Sequence, residues 1–142
     1  MKFFVYLIGV LAVVLVVGPA DSADPEPARE RWSQLYFSGQ MAYEKKDYGQ
    51  AERLFNEALK EAESGNYDGL IGMTLFNLAR TYHQQNQYDK AEPLYKRAFD
   101  LYNSARRRNS FYGIYVLKGY AKLLRETGRP GKAKKIEALI QQ

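Results

Sequence analysis

Three stretches of the chain align on one another: WSQLYFSGQMAYEKKDYGQAERLFNEALKEAE from Trp32, MTLFNLARTYHQQNQYDKAEPLYKRAFDLYN from Met73, and YVLKGYAKLLRETGRPGKAKKIEALIQQ from Tyr115. Ala51, Ala91 and Ala133 fall in register at intervals of 40 and 42 residues. So do Leu35, Leu75 and Leu117, and the small residues Gly39, Ala79 and Ala121. Self-similarity at this period marks a stack of supersecondary units, each burying the face of its neighbour, rather than one globular enzyme core.

The apolar positions repeat with a helical period. Leu75, Leu78, Ala79 and Tyr82 share one face, as do Tyr88, Ala91, Tyr95, Ala98 and Tyr102. No segment alternates over enough residues to argue for a strand. Breaks at KKDYG, ESGNYDG, QNQYD, NSARRRNS and ETGRPG leave six helices, two per repeat. Asp89 with Glu92 reads as a capping-box-like helix start, which puts Pro93 at about the first turn.

These shared positions resemble the tetratricopeptide repeat: a large residue, Leu, a small residue and an aromatic, then Ala, an aromatic and Ala. Repeat 1 supplies Trp32, Leu35, Gly39, Tyr48, Ala51, Phe55 and Ala58; repeat 2 supplies Leu75, Leu78, Ala79, Tyr82, Tyr88, Ala91, Tyr95 and Ala98. The run NLARTYHQQNQYDKAEPLYKRAF is similar to the longer repeats of the kinesin light chain type. Repeat 3 departs from the pattern at Pro130, Glu137 and Ile140. The resemblance covers residues 32–142, with repeats at about 32–65, 69–107 and 111–142. It implies an all-α, right-handed helical-repeat solenoid of about three antiparallel helix pairs, acting by binding another protein.

In that family the first helix of each pair lines a concave surface that holds an extended peptide or a partner helix. Register then places Tyr36, Gln40 and Tyr43 on the groove wall in repeat 1. Asn77, Arg80 and His83 follow in repeat 2, and Tyr115, Lys118, Lys122 and Arg125 in repeat 3. The wall is aromatic at one end and basic at the other, which suits a partner carrying an apolar anchor and carboxylates. Of the positions with which some members clamp a C-terminal carboxylate, Asn77 matches, whereas Tyr36, Gln40, Tyr115 and Gly119 do not.

No catalytic constellation is present. His83 is the only histidine and there is no cysteine, which leaves no Cys or His-cluster metal site and no cysteine nucleophile. No serine sits in a glycine-rich nucleophile elbow, and RETGRPGK lacks the spacing of a phosphate loop. The expectation is a non-enzyme without cofactors.

The chain opens with Lys2, an apolar run from Phe3 to Val17, and Gly18 and Ala20 as a small-x-small site. These parts, in this order, predict a secretory signal over 1–20, cleaved after Ala20, then a linker over 21–31. The run is short for a span; the alternative is an inner-membrane anchor formed by residues 3–17. Export without cysteine fits a bacterial periplasm and removes the chain from nucleic acid. Residues 21–65 carry a balance of −4 and residues 108–142 a balance of +6. The basic end, with Arg106, Arg107, Arg108, Lys132, Lys134 and Lys135, leaves an anionic membrane surface open as a partner. Ile136, Leu139 and Ile140 on the last helix leave self-association open, as in an envelope structural subunit.

Overall fold

The computed structural model describes residues 25–103, 108 and 110–141. Six α-helices follow one another: α1 (Pro25–Glu44), α2 (Tyr48–Ser64), α3 (Asp68–Gln84), α4 (Tyr88–Tyr102), α5 (Phe111–Glu126) and α6 (Pro130–Ala138). A 3₁₀ turn, Leu139–Gln141, extends α6. They pack as three antiparallel pairs stacked in chain order, an all-α helical-repeat solenoid. Among the described residues there is no strand, and no helix is long and apolar enough to cross a membrane. The expected signal or anchor, and Arg106 and Arg107, lie outside the described residues.

Within each pair, small residues set how closely the helices cross. Ala51, Ala91 and Ala133 are fully buried, as the register requires. Gly39 makes one close crossing: a Cβ there would lie 2.7 Å from Phe55 Cε1, so the ring of α2 occupies the space a side chain on α1 would need.

The turns obey the same register. Lys46, Asn86 and Gly128 each adopt a left-handed backbone, with φ of 60°, 59° and 77°. In each turn the next amide reaches back five residues: Asp47 N to Ala42 O, Gln87 N to Tyr82 O, Arg129 N to Leu124 O. This is the Schellman stop, which satisfies carbonyls that the helix end leaves open. Glycine or asparagine takes that conformation readily; lysine pays about 1–2 kcal/mol of steric strain. Lys46→Gly is therefore expected to raise the unfolding free energy by about 1 kcal/mol, after allowing for glycine's greater freedom in the unfolded chain. Chemical denaturation checks it; a fall in stability would show that the Lys46 side chain holds this turn.

Three local expectations are corrected. First, α1 begins at Pro25, so residues 25–31, read as linker, form its first turns; Pro25 and Pro27 fall where an amide donor has no intrahelical acceptor. Second, Asp89 and Glu92 make no capping box. Gln87 is the N-cap of α4, without a side-chain cap bond, and Glu92 is engaged by Arg129 instead. Third, Pro93 is the sixth residue of α4 rather than part of its first turn, and leaves the Asp89 carbonyl without its helical donor.

The seams between pairs combine buried rings with specific polar bonds. At the first seam, Trp32 Nε1 donates to Thr74 Oγ1 at 2.9 Å, and Tyr82 Oη donates to Glu52 Oε1 at 2.7 Å. Burial, then the Glu52 carboxylate, pushes the Tyr82 phenol up to about 12. At the second seam Arg129 grips Glu92 with two bonds of 2.6 and 2.7 Å, and Tyr95 stacks on Tyr120 at 6.3 Å between centroids. The Arg129 guanidinium holds the Glu92 carboxyl below its ordinary value.

Candidate functional site

The first helices α1, α3 and α5 carry every residue the sequence placed on the groove wall, and the structure sorts them into two groups. Five come together in one concavity of about 250 Å³ between α3 and α5: Arg80, His83, Tyr115, Lys118 and Lys122. Phe76, Tyr95 and Gly119 complete its floor. Gly119 is required there. A Cβ would lie 2.8 Å from Phe76 Cε2 and 2.9 Å from Tyr95 Cε1, so glycine lets α5 approach the ring layer of α3 and α4.

The charge of this concavity is uneven. Arg80 lies over the Tyr43 ring at 4.5 Å and the Phe76 ring at 5.6 Å, and Nη1 donates to Asn77 Oδ1 at 3.0 Å. Stacking between two rings fixes the guanidinium in place. Neither Arg80 nor Lys118 has a carboxylate partner among the described residues. Lys122 shares Glu126 with His83: Lys122 Nζ is 3.4 Å from one oxygen, His83 Nε2 2.6 Å from the other. His83 and then Lys122 hold the Glu126 carboxyl below its ordinary range. Three permanent cations thus face one carboxylate beside the exposed edge of Tyr115.

The second group is a correction. Tyr36, expected to offer its ring to a ligand, is 1% exposed and belongs to the core. Its ring stacks on Trp32 at 4.7 Å, and its hydroxyl accepts from Asn77 Nδ2 at 2.7 Å and Gln40 Nε2 at 3.1 Å. Burial, then the neighbouring Tyr112 phenol, drives its ionisation well above the ordinary value. Asn77 is buried too. Its amide donates to Tyr36 and to Met73 O at 3.1 Å while its oxygen accepts from Arg80, so it has no donor left for a ligand backbone. His83 is buried between the rings of Tyr88 and Tyr95 and bonded to Glu126; it ties repeat 2 to repeat 3 and borders the concavity from below. Gln40 and Tyr43 are half-buried, and Arg125 is exposed and paired with Glu137.

The sequence reading placed Tyr115 on the wall but missed the other large apolar groups that face outward, Phe37, Met41 and Phe111. Phe37, Met41, Phe111 and Tyr115 are 60%, 61%, 68% and 49% exposed. Phe37 and Met41 sit on α1, one turn apart, over a shallow depression shared with Gln40, Glu44 and Lys45. Phe111 and Tyr115 sit one turn apart on α5, their rings 4.7 Å apart. The register contained a signal for Phe37, because it aligns with Asn77 and Gly119 on the same side of the first helix.

Stacked antiparallel helix pairs, with exposed aromatics and cations on their first helices, define a helical-repeat protein. The tetratricopeptide repeat model matches residues 32–104, just over half of the chain, and the chain belongs to the tetratricopeptide repeat family. No curated protein and no solved structure matches it. Repeats of this family generally mediate protein–protein interaction and are not catalytic.

Proposed function

We propose that the chain is an exported adaptor or assembly factor, with repeats of the kinesin light chain-like type, that holds an extended acidic peptide or a partner helix against α1, α3 and α5. One observation carries this reading: Arg80, Lys118 and Lys122 converge beside Phe76 and Tyr115, and among the described residues Glu126 is the one carboxylate that pairs with any of them. Such a surface attracts carboxylates by charge-assisted bonds and apolar side chains by burial. Among the described residues there is no group of three side chains that could hold a metal ion.

Lys118 gives the cleanest test, because it is exposed and in no ion pair among the described residues. Lys118→Glu is expected to slow association of the partner that co-purifies with the full chain, and to flatten the salt dependence of that rate. Capture and salt dependence equal to the parent would sink the acidic-ligand reading. Export has its own measurement. N-terminal sequencing of the protein from its native cells should begin at Asp21; an intact Met1 in the membrane fraction would favour the anchor formed by residues 3–17.

A further inference from the structure

The second seam inside the molecule shows how one helix pair sits on the next, and its register can be carried one step further. At the second seam Glu92 of α4 meets Arg129 at the start of α6, and His83 of α3 meets Glu126 of α5. The face that α5–α6 turns away from this seam carries the same register positions 42 residues on. Lys134 stands for Glu92, and Arg125 for His83. The outer face of α1–α2 carries the receiving positions one and two repeats back. There Asp47 stands for Gln87 and Arg129, and Glu44 for Gln84 and Glu126.

We infer that the chain docks on a second copy of itself head to tail, the α5–α6 end of one copy taking, on the α1–α2 face of the next, the place that α3–α4 takes on α5–α6. Both register pairs are then opposite in charge: Lys134 against Asp47 and Arg125 against Glu44. The Glu–Arg pair inside the molecule recurs between molecules with its sign reversed. Lys134, Asp47 and Glu44 are exposed and make no ion pair among the described residues. The ends as a whole agree, with a balance of −4 over residues 21–65 and +6 over 108–142.

The junction is polar where the internal seams are apolar. The ring pair Tyr95–Tyr120 becomes, at the shared register, Glu137 facing Ser38. This replaces stacking through the apolar residues of the last helix: Ile136 packs inward on Ala121, Leu124 and Ala133. Exposed ion pairs contribute at most about 1 kcal/mol each, so the contact is weak, guided by the opposed charge of the two ends, and sensitive to salt. A heterologous contact of this kind leaves a free surface at each end, so copies add one after another, into an open filament or, where the rotation closes, a ring. None of Lys134, Asp47, Arg125 and Glu44 lines the concavity between α3 and α5, which holds Lys118.

Sedimentation of the full chain tests this. The average mass should rise with protein concentration at about 0.02 M salt and return to that of a single chain near 1 M, where the screening length falls to about 3 Å. Lys134→Glu alone and Asp47→Lys alone should each remain single chains at low salt. Mixed in equal amounts they should associate again, because each reversed end meets its complement on the other variant. Asp47 also caps α2 through Gln50 N, so Glu44→Lys serves as a second reversal of the same face with the cap intact. The inference is overturned if the parent stays a single chain at low salt. It is equally overturned if its association ignores both reversals, or if the mixture fails to recover what each variant lost. Lys118→Glu should leave the self-association unchanged, which separates failure here from failure of the groove reading.

Discussion

Tyr95→Ala is expected to remove about 3–5 kcal/mol of stability, the range for deleting a buried aromatic ring. Tyr95 is almost wholly buried at the seam between repeats 2 and 3, with ring centroids 6.1 Å from Phe76, 5.9 Å from His83 and 6.3 Å from Tyr120. It also forms part of the floor against which Gly119 packs. Domains of this size are stable by roughly 5–15 kcal/mol, so a large share of the total rests on one ring. In a stacked array each pair is held chiefly by its neighbours. The loss should therefore fall unevenly: amides of α5 and α6 should lose exchange protection before those of α1 and α2. Tyr95→Phe keeps the ring and gives up only a long contact of 3.4 Å with His83 Nδ1, so its cost should be about 1 kcal/mol or less. Denaturant unfolding of the two variants beside the parent decides it. Equal stability of Tyr95→Ala and the parent would mean that the repeats are not coupled through this ring.

That seam shows how the sequence could be read and where the reading stopped. The alanine and the aromatic four residues after it recur in repeats 1 and 2 because those two pairs make the same crossing, so Ala51 with Phe55 and Ala91 with Tyr95 were legible in the chain itself. Glu137 in the third repeat was legible as a departure. The structure gives it a physical sense, because it lies on a pair with no successor among the described residues and bonds to Arg125 at the surface. The polar links between repeats were not legible. Asn77 finds Tyr36 41 positions away, His83 finds Glu126 43 positions away, and Glu92 finds Arg129 37 positions away. Helical periodicity ranks residues by face within one helix. It carries no information about which polar group a neighbouring helix brings to that face, and so three groups assigned to a ligand or a cap proved to be spent within the fold.

Tyr36 and Phe37 bring this distinction to a single step of the chain. They are adjacent, about 100° apart around α1, and one is core while the other faces outward. The spacing Trp32, Leu35, Tyr36, Gly39 already puts Tyr36 on the buried stripe. Phe37→Ala should therefore leave stability within about 0.5 kcal/mol of the parent, as expected for an exposed position. If Phe37 and Met41 form the apolar anchor on α1, the same substitution should weaken the co-purifying partner by at least about 2 kcal/mol, a roughly 30-fold higher Kd expressed mainly as faster release. Tyr36→Phe should do the reverse. It keeps the ring and removes the hydroxyl that accepts from Asn77 and Gln40. The cost is about 1–3 kcal/mol of stability, with release of the partner unchanged. Measuring unfolding and partner dissociation on both variants yields a crossed pattern if the structure assigns the two rings correctly. Parent-like release from Phe37→Ala would move the apolar anchor off α1, leaving Phe111 and Tyr115 on α5 as the rings that a partner meets.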